Sequence, residues 1–438
     1  MNPEISEFAR KFSAPSGIME LMDDMGRAVD DAARLGTEIS MLGGGNPASI
    51  PEVNAFWRQA MNELMSRGDE FERTIASYDT PQGRQEFLEA IAFLLHEQCG
   101  WDVDAHNIAV SNGSQSAFFS LFNAFAGQFP DGSFRKVLFP LMPEYIGYAD
   151  QSVYAEDLEG LPATINNVGP NRFRYHLDLD RFQQRLVEHD KLGGKDLGAL
   201  CVTRPTNPSG NVLTDEEIRT IADTTRCRNI PFFLDSAYGL PFPGIVFDQA
   251  TPRWEKHMVV SLSLSKLGLP GLRTGIVVAD KPLIKTLSSI NAVVNLASGS
   301  FGPALTARAF RSGAILELVK AYVTPFYQKK RALALQLLDK SLGASGVPYR
   351  IHESGGAFFL WIWLPGFKAG TRALYETLKA SGTLIIPGAA FFFGLDEADA
   401  AWGITHGNEC FRMSFASPDS DLERGIKTIG TVLKRMGS

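Results

Sequence analysis

The chain of 438 residues is 45% hydrophobic and 21% charged, with a net charge of −7. It exceeds the roughly 250–300 residues at which a single core stops growing, so two domains are expected. The acidic balance excludes nucleic acid as the main partner, which needs a basic face, and the longest apolar stretch, GAFFLWIWLP at 356–365, is half of the ~20 residues of a membrane span.

At the N-terminus, MNPEISEFARKF mixes charges and has no apolar core, so no secretory signal is expected. Cys99, Cys201, Cys227 and Cys410 lie far apart without a CxxC pair. They read as reduced thiols of a cytoplasmic protein, and no metal site is expected. The middle of the chain alternates short β-rich runs with helical patterns, which indicates βαβ units around a parallel sheet. The predicted strands are NIAVS (107–111), KVLFP (136–140), LGALCVT (197–203), PFFLD (231–235), HMVVSLSLS (257–265) and TGIVVA (274–279). Between the third and fourth comes TDEEIRTIADTTRC, a helix in which Thr214 is placed as cap and Glu217, three residues on, completes a capping box. TPFYQKKRALALQLLDKSL (324–342) predicts a long amphipathic helix whose basic run is a solvated face. After it, FFLWIWL, TLIIP and CFRMSFA read as strands of a smaller α+β unit.

In open α/β sheets, ligands bind beyond the carboxyl ends of the strands. Polar residues gather there: Asn112 to Gln115 after the first predicted strand, Tyr145 after the second, Asn207 after the third, Asp235 ending the fourth and Lys266 just after the fifth. Five strand ends predict one site. Gly113, Ser114 and Gln115 open a helix whose free N–H groups suit an anion, although the same pattern serves an ordinary strand-to-helix turn. Neither GxGxxG nor GxxxxGK[ST] occurs, which argues against a dinucleotide or nucleoside triphosphate. Asp235 follows three apolar residues; if buried it needs a cation or donor, and as a helix cap it would not. Lys266 ends an alternating Ser–Leu run ahead of the breakers Gly268, Pro270 and Gly271, an unusual place for a strongly hydrated ammonium. Arg273 and Ser263 can meet the same anion, or serve as a surface arginine and a backbone-satisfied serine. Tyr238 reads as a ligand contact or as core. Asn207–Pro208, within TRPTNPSGN (203–211), is a candidate cis bond.

In this order, NGSQ, PEYIGY, TRPTNPSGN, DSAYG, SLSLSKLGLPGLRTG and CFRMSFA resemble the class I pyridoxal-phosphate-dependent aminotransferases of fold type I, over nearly the whole chain. MLGGGNPASIPE, YDTPQG, FPLMPEYIGYAD and AYGLPFPGI resemble the valine–pyruvate branch in particular. The resemblance implies an α/β fold with a mainly parallel seven-stranded sheet between helices in residues 56–325. It also implies a smaller α+β domain formed by both chain ends, with 1–55 adding an active-site lid and 326–438 the rest. Lys266 would hold pyridoxal 5′-phosphate as a Schiff base and Asp235 would pair with its ring nitrogen, the two forming the catalytic pair. Tyr145 would stack on the ring, with Tyr238 and Asn207 on its 3-oxygen. Gly113, Ser114, Gln115, Ser263 and Arg273 would hold the phosphate, and Tyr78 would reach the phosphate of a neighbouring subunit in a homodimer. Arg412 would grip the substrate carboxylate, helped by Asn207 and by backbone at Gly44 or Gly45. Many members place the arginine eight positions after the lysine; here it is seven, which leaves the local turn geometry open.

A dicarboxylic substrate would need a second cation. Dicarboxylate-specific members supply it across the dimer from a segment that here, at 288–305, holds no Arg or Lys. The expected donor is therefore a neutral aliphatic amino acid, valine, with pyruvate as acceptor, in a ping-pong cycle yielding 3-methyl-2-oxobutanoate and alanine. Ile18 is expected in an apolar lid, and Phe391–Phe393 in the pocket wall. The alternatives are another enzyme on the same scaffold, such as a β-eliminating lyase, or a non-catalytic binding protein that keeps the pocket.

Overall fold

Short runs rich in Val, Ile, Leu and Phe, joined through helices, build a sheet that is covered on both faces. The structure is a computed structural model describing residues 4–13, 17–154 and 156–437. Its main strands are β1 (Ile108–Ser111), β2 (Phe134–Met142), β3 (Leu158–Pro162), β4 (Leu197–Thr203), β5 (Phe232–Asp235), β6 (Met258–Ser263) and β7 (Gly275–Val278). Their spatial order is β1-β7-β6-β5-β4-β2-β3. Every residue of β4 through β7 is buried. β7 runs antiparallel to β6 and β1, and the other neighbours are parallel. A two-residue strand, Gly127–Gln128, adds an eighth, antiparallel to β2. The helix Asp215–Arg226 starts at the expected capping box: Thr214 Oγ1 accepts from Glu217 N at 3.1 Å, and the Glu217 carboxylate accepts from Thr214 N at 2.8 Å.

Register sets the site. Thr203 of β4, Asp235 of β5 and Ser261 of β6 lie abreast, so polar side chains from neighbouring strands reach one edge together.

A second sheet runs Ile386–Pro387, Cys410–Ser414, Phe359–Trp363, Arg350–His352, Arg172–His176, Thr164–Gly169. Its last two strands form a hairpin from the middle of the chain, so the sheet is not drawn from the chain ends alone. The N-terminal strand Ser40–Met41 pairs with Thr383–Leu384, which brings the two ends of the chain together. The long helix Thr324–Gly343 follows a π-helical turn, Val319–Val323; Pro325 in its first turn has no N–H to give the regular ladder. Among the described residues no helix is long and apolar enough to cross a membrane. Nor is any group of three or more His, Cys, Asp or Glu side chains among them placed to hold a metal ion.

Candidate active site

The strand ends converge on one cavity of about 260 Å³. Asp235 and Lys266 both face it. Asp235 is 5% exposed; its Oδ1 accepts from Ala237 N at 2.9 Å and its Oδ2 from the Tyr148 hydroxyl at 2.5 Å. Burial pushes its pKa up to about 6, opposed by those two donors and by the charge of Lys266. Lys266 lies in the 3₁₀ turn Ser265–Leu267 directly after β6. Its Nζ donates to Gly45 O at 2.8 Å and lies 5.1 Å from the ring centre of Tyr238. Burial, then the charges of Arg412 and Arg273, lower its pKa to about 8, with Asp235 opposing.

At one end of the cavity the helix Ser114–Phe125 begins. Gly113 precedes it at φ +89°, and a Cβ there would sit 2.1 Å from Arg273 Nη2. Only glycine lets the guanidinium lie against the helix start. Arg273 itself adopts φ +45° after the turn Pro270–Leu272, and its Nη1 donates to Pro270 O at 3.2 Å and Ser265 Oγ at 3.4 Å. That left-handed residue accommodates the seven-residue spacing from Lys266. Ser114 Oγ accepts from Ser261 Oγ at 3.0 Å, and Gln115 Nε2 donates to Gly147 O at 3.2 Å. Ser263 borders the cavity while its Oγ accepts from Ser265 N. The Tyr145 ring lies so close over Gly147 that a Cβ there would be 2.4 Å from it.

At the other end stands Arg412, buried on the strand Cys410–Ser414. Nη1 donates to Asn207 Oδ1 at 2.7 Å, Nη2 donates to Gly43 O at 2.7 Å, and Nε has no partner. Burial lowers its pKa to about 10, with Tyr238 and Tyr145 opposing. Gly43 and Gly45 border the cavity; Gly44 turns instead into a groove beside Lys330.

Other expectations fare differently. Asn207–Pro208 is not among the cis bonds, which occur at Met142–Pro143, Arg204–Pro205, Leu240–Pro241 and Phe242–Pro243. The reversal after Asn207 is made by Gly210, at φ +68°, whose N–H bonds Thr206 O at 2.7 Å. Phe391–Phe393 do not border the cavity. Phe391 packs edge-on to Trp361 behind Arg412, Phe392 against Trp402 and Phe393 against Phe139, as core aromatics do. The Ile18 side chain lies outside those described, whereas Met22 and Met25 of the same helix, Gly17–Leu35, reach the cavity. Tyr78 is 83% exposed, away from this chain's own cavity. Sequence reasoning passed over Tyr148, Thr203, Ser265, Ile146 and Ile386, all of which border it.

Residues 48–429 match the family model described as aminotransferase class I and II. The chain belongs to the class I and II aminotransferases. It is 40% identical over 430 residues to the valine–pyruvate aminotransferase of Escherichia coli (strain K12), covering 98% of both chains. Among solved structures, the valine–pyruvate aminotransferase AvtA of Salmonella typhimurium LT2 superposes with a TM-score of 0.83 at 38% identity, covering 96% of this chain and 99% of that one. A candidate amino-acid aminotransferase of Psychrobacter arcticum 273-4 gives 0.93 at 40% identity, with 100% and 99% covered.

Aminotransferases of this family work with pyridoxal 5′-phosphate, and the cavity fits that group. Three charged side chains are held there by neutral partners only: Asp235 by Tyr148 and Ala237 N–H, Arg273 by Ser265 and Pro270, Arg412 by Asn207 and Gly43. Asp235 and Arg412 are buried, where a charge without a bonded counter-ion is costly, whereas Arg273 is exposed. A protonated ring nitrogen suits Asp235, a phosphate suits Arg273 and the helix start, and an aldehyde suits the amine of Lys266.

Proposed function

We propose that this aminotransferase moves the amino group of valine to pyruvate, giving 3-methyl-2-oxobutanoate and alanine. The observation that carries this reading is the Arg412 grip beside an apolar wall. Its guanidinium keeps one free N–H, Nε, and two neutral partners, so a substrate α-carboxylate is the charge it awaits. Next to it Gly43 is flanked by the Met25 sulfur and Ile386 Cδ1, which suit an aliphatic side chain and offer no cation to a second carboxylate.

Pyridoxal 5′-phosphate, when bound, supplies the electron sink that allows a Cα–H bond to break heterolytically. This chain's residues do the rest. Asp235, as an anion, would pair with the protonated ring nitrogen. Gly113, Ser114, Gln115, Ser263 and Arg273 would hold the phosphate, while Tyr145, Tyr238 and Asn207 would orient the ring. Lys266 Nζ, as a free amine of lowered pKa, takes the proton from the substrate Cα. Arg412 and Asn207 hold the carboxylate so that this proton faces Nζ.

The functional unit in this reading is a cytoplasmic homodimer. Tyr78 and Ile75 are exposed beside Val293, Val294 and Leu296, the two segments being tied by Asn291 Nδ2 donating to Pro81 O at 2.6 Å. Such an apolar patch suits a second copy, whose phosphate Tyr78 would reach. All four cysteines are free, in keeping with a reducing compartment.

An amino-donor panel with pyruvate as acceptor, read as alanine formed, tests the reaction. Valine is expected among the fastest donors, with parallel initial-rate lines. Faster turnover of aspartate, or ammonia released in place of alanine, overturns the assignment. Mixing Tyr78→Phe with Lys266→Ala subunits tests the dimer: hybrids are expected to recover activity that neither parent shows in full.

A further inference from the structure

Behind Asp235 runs a buried line of four oxygens. Glu144, 1% exposed, sits in the loop after β2, its Oε2 2.7 Å from Thr203 Oγ1. Thr203 Oγ1 lies 3.3 Å from the Tyr148 hydroxyl, which lies 2.5 Å from Asp235 Oδ2. Glu144 is anchored by Thr203 N to Oε1 at 2.9 Å, by Tyr145 N to Oε2 at 3.0 Å, and by its own N–H to Phe391 O at 3.0 Å.

Counting hydrogens shows what this line requires. Four oxygens in a row make three contacts, and two hydroxyls bring only two hydrogens. With both carboxylates ionised, one contact would face oxygen to oxygen with no hydrogen between. One more proton completes the line. It can sit at either end, and two observations choose the end. The contact between Tyr148 and Asp235, at 2.5 Å, is shorter than that between Thr203 and Glu144, at 2.7 Å, which favours the anion at Asp235. Lys266 also faces Asp235, whereas the groups facing Glu144 are Asp235 itself, Tyr145, Tyr148, Thr203 and Cys201, none of them a cation.

We propose that Glu144 is a neutral carboxylic acid whose O–H, held on Glu144, starts a directed hydrogen-bond chain through Thr203 and Tyr148 that keeps Asp235 anionic. Glu144 is thus a positioning residue for the partner of the ring nitrogen, and the inference rests on that reading of Asp235. The chain runs Glu144 to Thr203 to Tyr148 to Asp235, every donor pointing at the carboxylate that must stay charged. Burial supports this direction, pushing the Glu144 carboxyl up to about 7, further raised by the like charge of Asp235 and opposed by donors from Thr203 and Tyr145. In a low-dielectric interior such a fully satisfied chain strengthens each of its bonds, and a broken one is costly.

Two readouts test it. In the apoprotein at pH 6, infrared difference spectroscopy should show that Glu144→Gln removes one component of the protonated-carboxyl C=O stretch, while Asp235→Asn leaves that component in place. If Glu144→Gln removes none, the proposal fails. In the holoprotein loaded with ¹⁵N-labelled pyridoxal 5′-phosphate, the ring-nitrogen shift reports its pKa. Thr203→Val, Tyr148→Phe and Glu144→Leu should each lower that pKa by about one unit or more, whereas Glu144→Gln, still a donor to Thr203 Oγ1, should keep the wild-type value. An unchanged ring nitrogen in all three interrupted variants overturns the relay. The infrared arm needs no cofactor, so failure of the relay is distinguishable from failure of the chain to bind pyridoxal 5′-phosphate at all.

Discussion

Arg412 donates from Nη1 to the side-chain oxygen of Asn207 at 2.7 Å, which gives a buried cation a neutral partner 205 residues away in sequence. A fold selected for stability alone would pair or remove such a charge. Substituting Arg412→Met should therefore act in opposite directions on the two properties. Removing the partner of a buried substrate carboxylate costs about 3–5 kcal/mol, or roughly 10²–10³-fold and more in kcat/KM for valine. The same change removes an uncompensated buried charge, so the apoprotein's Tm should hold or rise. Steady-state kinetics paired with calorimetry checks both; a fall in both would make Arg412 a structural residue.

Lys266 gives a pH signature. Its folded pKa, about 8, lies below the usual 10.5. Between those values the folded apoprotein binds fewer protons than the unfolded chain, so stability climbs as pH rises from about 8 to 10.5. Below pH 8 the protonated amine imposes its full penalty. Lys266 opens onto the cavity, so the shift is discounted for solvent, leaving a penalty of about 2 kcal/mol. At pH 7 apo Lys266→Met should exceed the wild type by that amount in urea melts, and the gap should close by about pH 10. A gap independent of pH would mean that packing, not charge, separates the two proteins.

The strand ends were legible because each couples a buried apolar run to an abrupt polar residue, as FFLD to Asp235 and SLSLS to Lys266. The relay behind Asp235 was not. Thr203 and Tyr148 look like ordinary strand and core residues, and only the abreast register of Thr203 with Asp235 gives them a role. The second sheet's mid-chain hairpin was missed for a different reason: TINNVG is largely exposed and shows no period-two alternation. The Phe391–Phe393 run misled in the other direction, since aromatic side chains fill core space as readily as pockets. Gly43 and Gly44 differ only in which way the chain turns at the cavity, a distinction that composition does not carry.

Met25 should set the size of the accepted side chain. The helix Gly17–Leu35 is clamped where Asp24 accepts from Tyr375 at 2.5 Å and from Lys379 Nζ at 2.8 Å. This holds the Met25 sulfur 3.0 Å from where a Cβ on Gly43 would stand, next to Ile386 and to the carbonyl that Arg412 uses. Met25→Ala removes that wall while leaving the carboxylate grip intact. Pockets discriminate by about 1–3 kcal/mol per methylene, so the kcat/KM ratio of leucine to valine should rise by about tenfold. Asp24→Asn should weaken the clamp and raise KM for both donors, with a smaller effect on their ratio. A leucine-to-valine ratio unmoved by Met25→Ala would place the side-chain pocket against Ile146 and Ile386 instead.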